Sequence, residues 1–174
     1  MSDEPLQDDL DEYIKTIGLL VVRASSFDYQ LAGLLSECFS LTAVQENVLL
    51  RPLGTRAKVD MLQRLSKFIE SSQHKEICKW CQSVKDHFDE RNTVVHGVPG
   101  MWEGKITLRL YSAAKAFTGR GEEWPLARVS ELGTKINDLG VQLDTFIRPA
   151  FEQWIEASAR YLAEDFAPSR APRR

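Results

Sequence analysis

Within the stretch Asp89–Gly100, DERNTVVHGVPG, three side chains have the types and spacing for acid–base chemistry on an anion: Arg91, Asn92 and His96. On a helix, Asn92 and His96 are i and i+4 and lie one above the other. Arg91 is turned about 100° from Asn92, toward the apolar positions Val84, Phe88 and Val95. His96 falls in a last helical turn, and Gly97 after it suits the left-handed conformation that ends many helices. A guanidinium neutralises charge on phosphoryl oxygens, an imidazole moves a proton, and an amide positions either. The plain alternative is a terminal His bonded to its own helix carbonyls, with Arg91 and Asn92 solvated.

The elements that must hold these groups are legible as periodic stripes. Leu10, Ile14, Ile17, Val21, Ala24, Leu31, Leu35 and Cys38 recur at helical spacing. Gly18 weakens that run and leaves open two helices meeting near it. Asp28 interrupts the stripe, as Arg91 interrupts the stripe Ile77, Cys81, Val84, Phe88 and Val95 of a later helix, from about Gln73 to His96. A carboxylate on a buried face needs a cation or several donors. If the two helices pack stripe to stripe, an Asp28–Arg91 contact would satisfy both groups and orient the guanidinium. These paired interruptions weigh against the plain alternative.

Between the two helices, Thr42-x-x-Gln45 reads as a capping box opening a short helix. Arg51-Pro52-Leu53-Gly54 then turns the chain. A further helix from Thr55 carries Met61, Leu62, Leu65, Phe68 and Ile69. Past Gly97 the pattern changes. Lys105–Tyr111 alternates as a strand does, and EWPLARV, residues 123–129, is its expected short partner. Ser130 is the expected cap of a final helix, which Pro149 should kink or split. The expected fold is mainly α, a helical bundle with a small β-hairpin or sheet inserted near residues 98–128. Residues 1–9 form an acidic N-terminal segment, 10–166 a single domain, and 167–174 a disordered basic tail.

Other chemistries find little support. Cys78 and Cys81, with His74, share a helical face, but a metal site normally has four ligands and no second pair has suitable spacing. Buried structural cysteines are the better reading. The chain has no phosphate loop, no dinucleotide-binding glycine fingerprint and no Gly-x-Ser-x-Gly elbow. No metal and no cofactor is expected. An odd count of three cysteines, an acidic start without a signal-peptide layout and no long apolar run point to a cytoplasmic protein without a membrane partner. The net charge of −3 argues against a general nucleic-acid coat protein. Residues 42–85 nevertheless carry eight bases against four acids, compatible with a local phosphate-binding face or with a solvated helix surface.

Arg-Asn-x-x-x-His-Gly at a helix end resembles the signature of the HEPN superfamily: Arg, four to six residues, then His, often with a polar residue directly after the Arg. ERNTVVHG fits it at each point, and the long first helix with its late acidic residue (SSFDYQLAGLL), the helix opening TRAKVDMLQRL and the final long helix agree in layout. The strand-bearing insertion after His96-Gly97 is similar to bacterial members of that superfamily. The resemblance implies a metal-independent endoribonuclease of a toxin–antitoxin or phage-defence system, acting as a homodimer on RNA, with an antitoxin or defence-system protein as partner. It implies that His96 is the catalytic acid or base, that Arg91 binds the scissile phosphate, and that Asn92 positions groups; Asp28 is the expected supporting residue through the Asp28–Arg91 contact that the stripes suggest. It equally includes non-catalytic members that serve as interaction or RNA-binding modules. Val98 stands two residues after His96, where a modified Tyr stands in toxins paired with a small nucleotidyltransferase, so that regulation is not expected.

Overall fold

The computed structural model describes residues 4–102, 105–109 and 122–165, and the chain is mainly helical. Helix α1 spans Glu4–Cys38, α2 Ala43–Leu49, α3 Thr55–Leu65 and α4 Ser71–His96. A short 3-10 turn, Ser66–Phe68, separates α3 from α4. Strands β1 (Val98–Trp102), β2 (Lys105–Arg109) and β3 (Glu122–Glu123) follow, then α5 (Leu126–Gln142) and α6 (Arg148–Asp165). Residues 110–121 of the insertion and the 167–174 tail lie outside the described residues. Among the described residues no helix is long and apolar enough to cross a membrane.

Helix α1 runs unbroken through Gly18 and takes in residues 4–9 of the acidic segment. It stops where Ser40 adopts a left-handed φ of 52° and the Leu41 N–H reaches back to the Ser36 carbonyl at 2.9 Å. The α1 stripe is rotated from the one expected. Tyr13, Leu20, Phe27 and Leu34, seven apart, are buried, whereas Ile14 is 51 % exposed. Ala24, Leu31 and Leu35 hold on both readings. The large rings decide the phase: Phe27 packs against Phe88 at 5.2 Å and Trp80 at 5.9 Å between ring centres, burying more apolar surface than Ile14 would.

Helix α1 packs along α5, and α4 packs against both α3 and α5. The core joins Val59 and Leu62 of α3, Ile77, Cys81 and Val84 of α4, and Val129, Leu132 and Ile136 of α5. Phe68, expected on the α3 stripe, is 71 % exposed because that helix gives way to the 3-10 turn before it. The capping box of α2 is present: the Gln45 N–H donates to Thr42 Oγ1 at 3.3 Å and the Thr42 N–H to Gln45 Oε1 at 2.8 Å.

The three strands form an antiparallel sheet in the order β1-β2-β3, with Val98 opposite Arg109 and Leu108 opposite Glu122. EWPLARV is not a strand. Strand β3 ends at Glu123, buried Trp124 anchors the turn, and Pro125 caps α5, whose buried Val129, Leu132 and Ile136 carry the helical period. Helix α5 therefore starts four residues before the expected Ser130, which is exposed within it. Before Pro149 the backbone widens into a π turn, Leu143–Ile147, in which the Arg148 N–H reaches the Leu143 carbonyl.

Candidate functional site

Helix α4 carries Arg91 and Asn92 along one wall of a cleft of about 410 Å³. Helix α1 supplies Asp28 and Ser25 to the opposite wall, and the turn into α3 supplies Gly54, Thr55 and Arg56. Apolar Val59, Val84 and Phe88 also line it, so polar groups stand against a partly dehydrated backing.

Arg91 follows Phe88 by three on the buried stripe and is half-buried. Its Nη1 donates to Asn92 Oδ1 at 3.0 Å, while its Nε is buried without a hydrogen-bond partner. Burial pulls the guanidinium below its ordinary value, and the Asp28 carboxylate acts in the opposite direction. Arg91 stays charged nonetheless, because a guanidinium does not lose its proton in proteins. Among the described residues no ion pair joins Arg91 to any carboxylate, Asp28 included.

The expected direct Asp28–Arg91 contact is replaced by another. Asp28 Oδ2 pairs with Lys58 Nζ at 2.5 Å, and Thr55 Oγ1 donates to Asp28 Oδ1 at 2.8 Å. The Lys58 side chain is 0 % exposed and that of Asp28 29 %. Lys58 stands one turn before Leu62 on the inward face of α3, which aims its ammonium at the α1 carboxylate. That polar residue among Val59, Leu62 and Leu65 in TRAKVDMLQRL is the signal by which the sequence offers it.

The remaining bases of the cleft are occupied. Arg56 Nη1 pairs with Asp89 at 3.2 Å, while Lys85 pairs with Asp60 at 2.7 Å and donates to Gln63 at 2.9 Å. Hydrogen bonding to Lys85 holds the Asp60 carboxyl below its usual range.

His96 is one turn beyond Asn92, exposed, and outside the residues lining the cleft. Among the described residues it has no hydrogen-bond partner, so the terminal-carbonyl alternative does not describe it. Gly97 does not take the left-handed conformation expected of it: its φ of −74° and ψ of 148° lead straight into β1. A Cβ there would approach Leu108 and the Thr93 carbonyl at 3.1 Å, so glycine allows β2 to close over the end of α4. The sequence therefore brings Arg91 and Asn92 together, sets Asp28 nearby on Lys58, and leaves His96 apart on the same helix edge.

Among the described residues no group of three or more His, Cys, Asp or Glu side chains is placed to hold a metal ion. Comparison with family models, with curated proteins and with solved structures gives no match to this chain.

Proposed function

We propose that this chain is a HEPN-type, metal-independent endoribonuclease that works as a homodimer, in a bacterial toxin–antitoxin or phage-defence system. The observation that carries the reading is Arg91, a half-buried guanidinium in a cleft, bonded to Asn92 and paired with no carboxylate among the described residues. A phosphodiester brings one negative charge shared by two oxygens whose spacing matches the guanidinium fork. His96, exposed and unbonded on the same helix, is free to exchange a proton with a strand lying along that edge. The helical bundle and the small sheet following directly on Gly97 support the same reading.

In the proposed step a base removes the proton of an RNA 2′-hydroxyl, and that oxygen attacks the adjacent phosphorus. The bond from phosphorus to the 5′-oxygen breaks, and an acid protonates the departing oxygen. The products are a 2′,3′-cyclic phosphate and a 5′-hydroxyl. Arg91 neutralises charge growing on the phosphoryl oxygens. One chain offers one such His, and a two-fold dimer that joins two of these helix ends supplies the acid and the base together.

A second reading, a non-catalytic interaction or RNA-binding module, is favoured by the position of His96 outside the cleft that Arg91 lines. Incubation of mixed tRNA and mRNA with the protein in EDTA separates the two. The nuclease leaves cyclic-phosphate ends, and His96→Ala and Arg91→Ala each lower cleavage by about 10²-fold or more with fold and dimer kept. The module leaves RNA intact in every lane, and Arg91→Ala then weakens RNA retention in a gel shift.

A further inference from the structure

A second cleft, of about 380 Å³, opens where the end of α3 faces the first turns of α4 and is lined by Asp60, Gln63, Arg64, Lys67, His74 and Cys78. Two cysteines of the Cys-x-x-Cys sequence part company here. Cys81 is 0 % exposed, and burial, with Cys78 beside it, pushes its thiol up to about 12. Cys78 is only half-buried and faces the cleft. The reading of both as buried structural cysteines thus holds for Cys81 alone.

The imidazole beside Cys78 is held in one tautomer. Buried Ser66 donates its single hydroxyl proton to the Gln63 carbonyl at 2.8 Å. Its 2.8 Å contact with His74 Nδ1 therefore has the ring nitrogen as donor. Cys78 Sγ lies 3.7 Å from each ring nitrogen, and of the two it is Nε2 that is left with a lone pair. This is a thiol next to an oriented base, with accessible space before it.

The charge around the cleft selects what enters. Asp60 is taken by Lys85 at 2.7 Å. Arg64 and Lys67 are exposed and, among the described residues, form no ion pair. The open side of the cleft thus presents two positive charges and one neutralised acid.

We propose that Cys78 is a reactive thiol that forms a mixed disulfide with small anionic disulfides of the glutathione class. Nε2 of His74 takes the Sγ proton, and the thiolate attacks one sulfur of the incoming disulfide. The old S–S bond breaks as the new one forms, and the departing thiolate leaves with the proton from His74. Arg64 and Lys67 attract the carboxylates of the reagent. Cys38, pushed up to about 12 chiefly by burial and by Glu37, serves as an internal comparison.

The test treats the full-length protein with oxidised glutathione, which is anionic, or with cystamine, which is cationic, and follows intact mass and mapped peptides. The expected result is one adduct, at Cys78. Its rate ratio of glutathione to cystamine exceeds that of the urea-unfolded chain by about tenfold or more. His74→Gln slows both reagents by about tenfold. The double variant Arg64→Gln/Lys67→Gln, on exposed side chains, abolishes the preference while leaving the cystamine rate alone. Modification that reaches Cys38 first, or a glutathione preference that survives the double variant, overturns the proposal. A folded His74→Gln protein with an unchanged rate overturns it as well.

Discussion

Lys58 and Arg91 both bring positive charge toward Asp28, yet the fold treats the two cations differently. Lys58 is wholly withdrawn from solvent and closes on the carboxylate directly, with Thr55 filling the other oxygen. Both Asp28 oxygens, the Lys58 ammonium and the Thr55 hydroxyl thus have partners, and the group ties α1 to α3. Arg91 is less buried, yet it keeps a buried Nε without a partner and has only a neighbouring amide for company. An ion pair with its donors and acceptors filled is architecture. A half-buried cation left open toward a cleft carries a cost that an incoming anion would offset, and this contrast is what supports the anion binding proposed for the Arg91 end.

The contrast is broken most readily at its closed end. Asp28→Ala strands the buried ammonium of Lys58 and should cost about 3 kcal/mol in urea unfolding, the lower end for a broken buried pair because Asp28 keeps some solvent contact. Adding Lys58→Met should bring the double variant back to within about 1 kcal/mol of the parent. A double variant no more stable than Asp28→Ala would show that the pair does not act as a unit.

How firmly the open end is held can be asked at Gly97. The Cβ of Gly97→Ala meets Leu108 and the Thr93 carbonyl at 3.1 Å, backbone on one side and packed side chain on the other. A loss of about 1–2 kcal/mol is expected, and if the proposed nuclease reading holds, RNA cleavage falls further as the end of α4 shifts. Stability unchanged in a thermal melt would mean that β2 moves aside freely.

The core behind both ends sets an alkaline limit. Cys81 titrates near 12 in the fold against an ordinary 9.0, so the folded state holds its proton after the unfolded chain has released it. Its contribution is therefore intact below about pH 9 and declines as pH rises toward 12, by at most about 1.4 kcal/mol per pH unit. Cys81→Ala should flatten that decline in unfolding curves taken above pH 9, whatever the variant costs at neutrality.

The smallest expected effect on stability falls at the open end. Arg91→Gln removes a half-buried charge with an unfilled donor, and unfolding free energy should change by no more than about 0.5 kcal/mol, while the cleavage proposed for this protein should collapse. A loss as large as that of Asp28→Ala would erase the difference between the two cations.

Much of this was legible in the residue order, and the misses have identifiable causes. The interrupted stripe of α4 was readable because Ile77, Cys81, Val84 and Phe88 leave Arg91 at a position that must face inward. The Thr42–Gln45 box and the disturbance ahead of Pro149 were readable because each depends on a few adjacent residues. The phase of α1 was not, since Ile14 and Tyr13 both fit a helical repeat and only the rings of Trp80 and Phe88 decide for the face that carries Phe27. The short strand assigned to EWPLARV failed because Trp124 and Leu126 are two apart over too few positions to separate a strand from a helix start.

The sequence by itself determined the helical class, the capping signals and the two polar interruptions, Asp28 and Arg91. Each is a property of one chain segment, where the repeat of about 3.6 residues fixes which side chains share a face. The tertiary structure alone decided that Asp28 answers to Lys58, that Arg91 is left open to the cleft, and that His96 stands outside it. Those outcomes depend on how helices cross, and a crossing is set by the packing of every side chain in the contact at once.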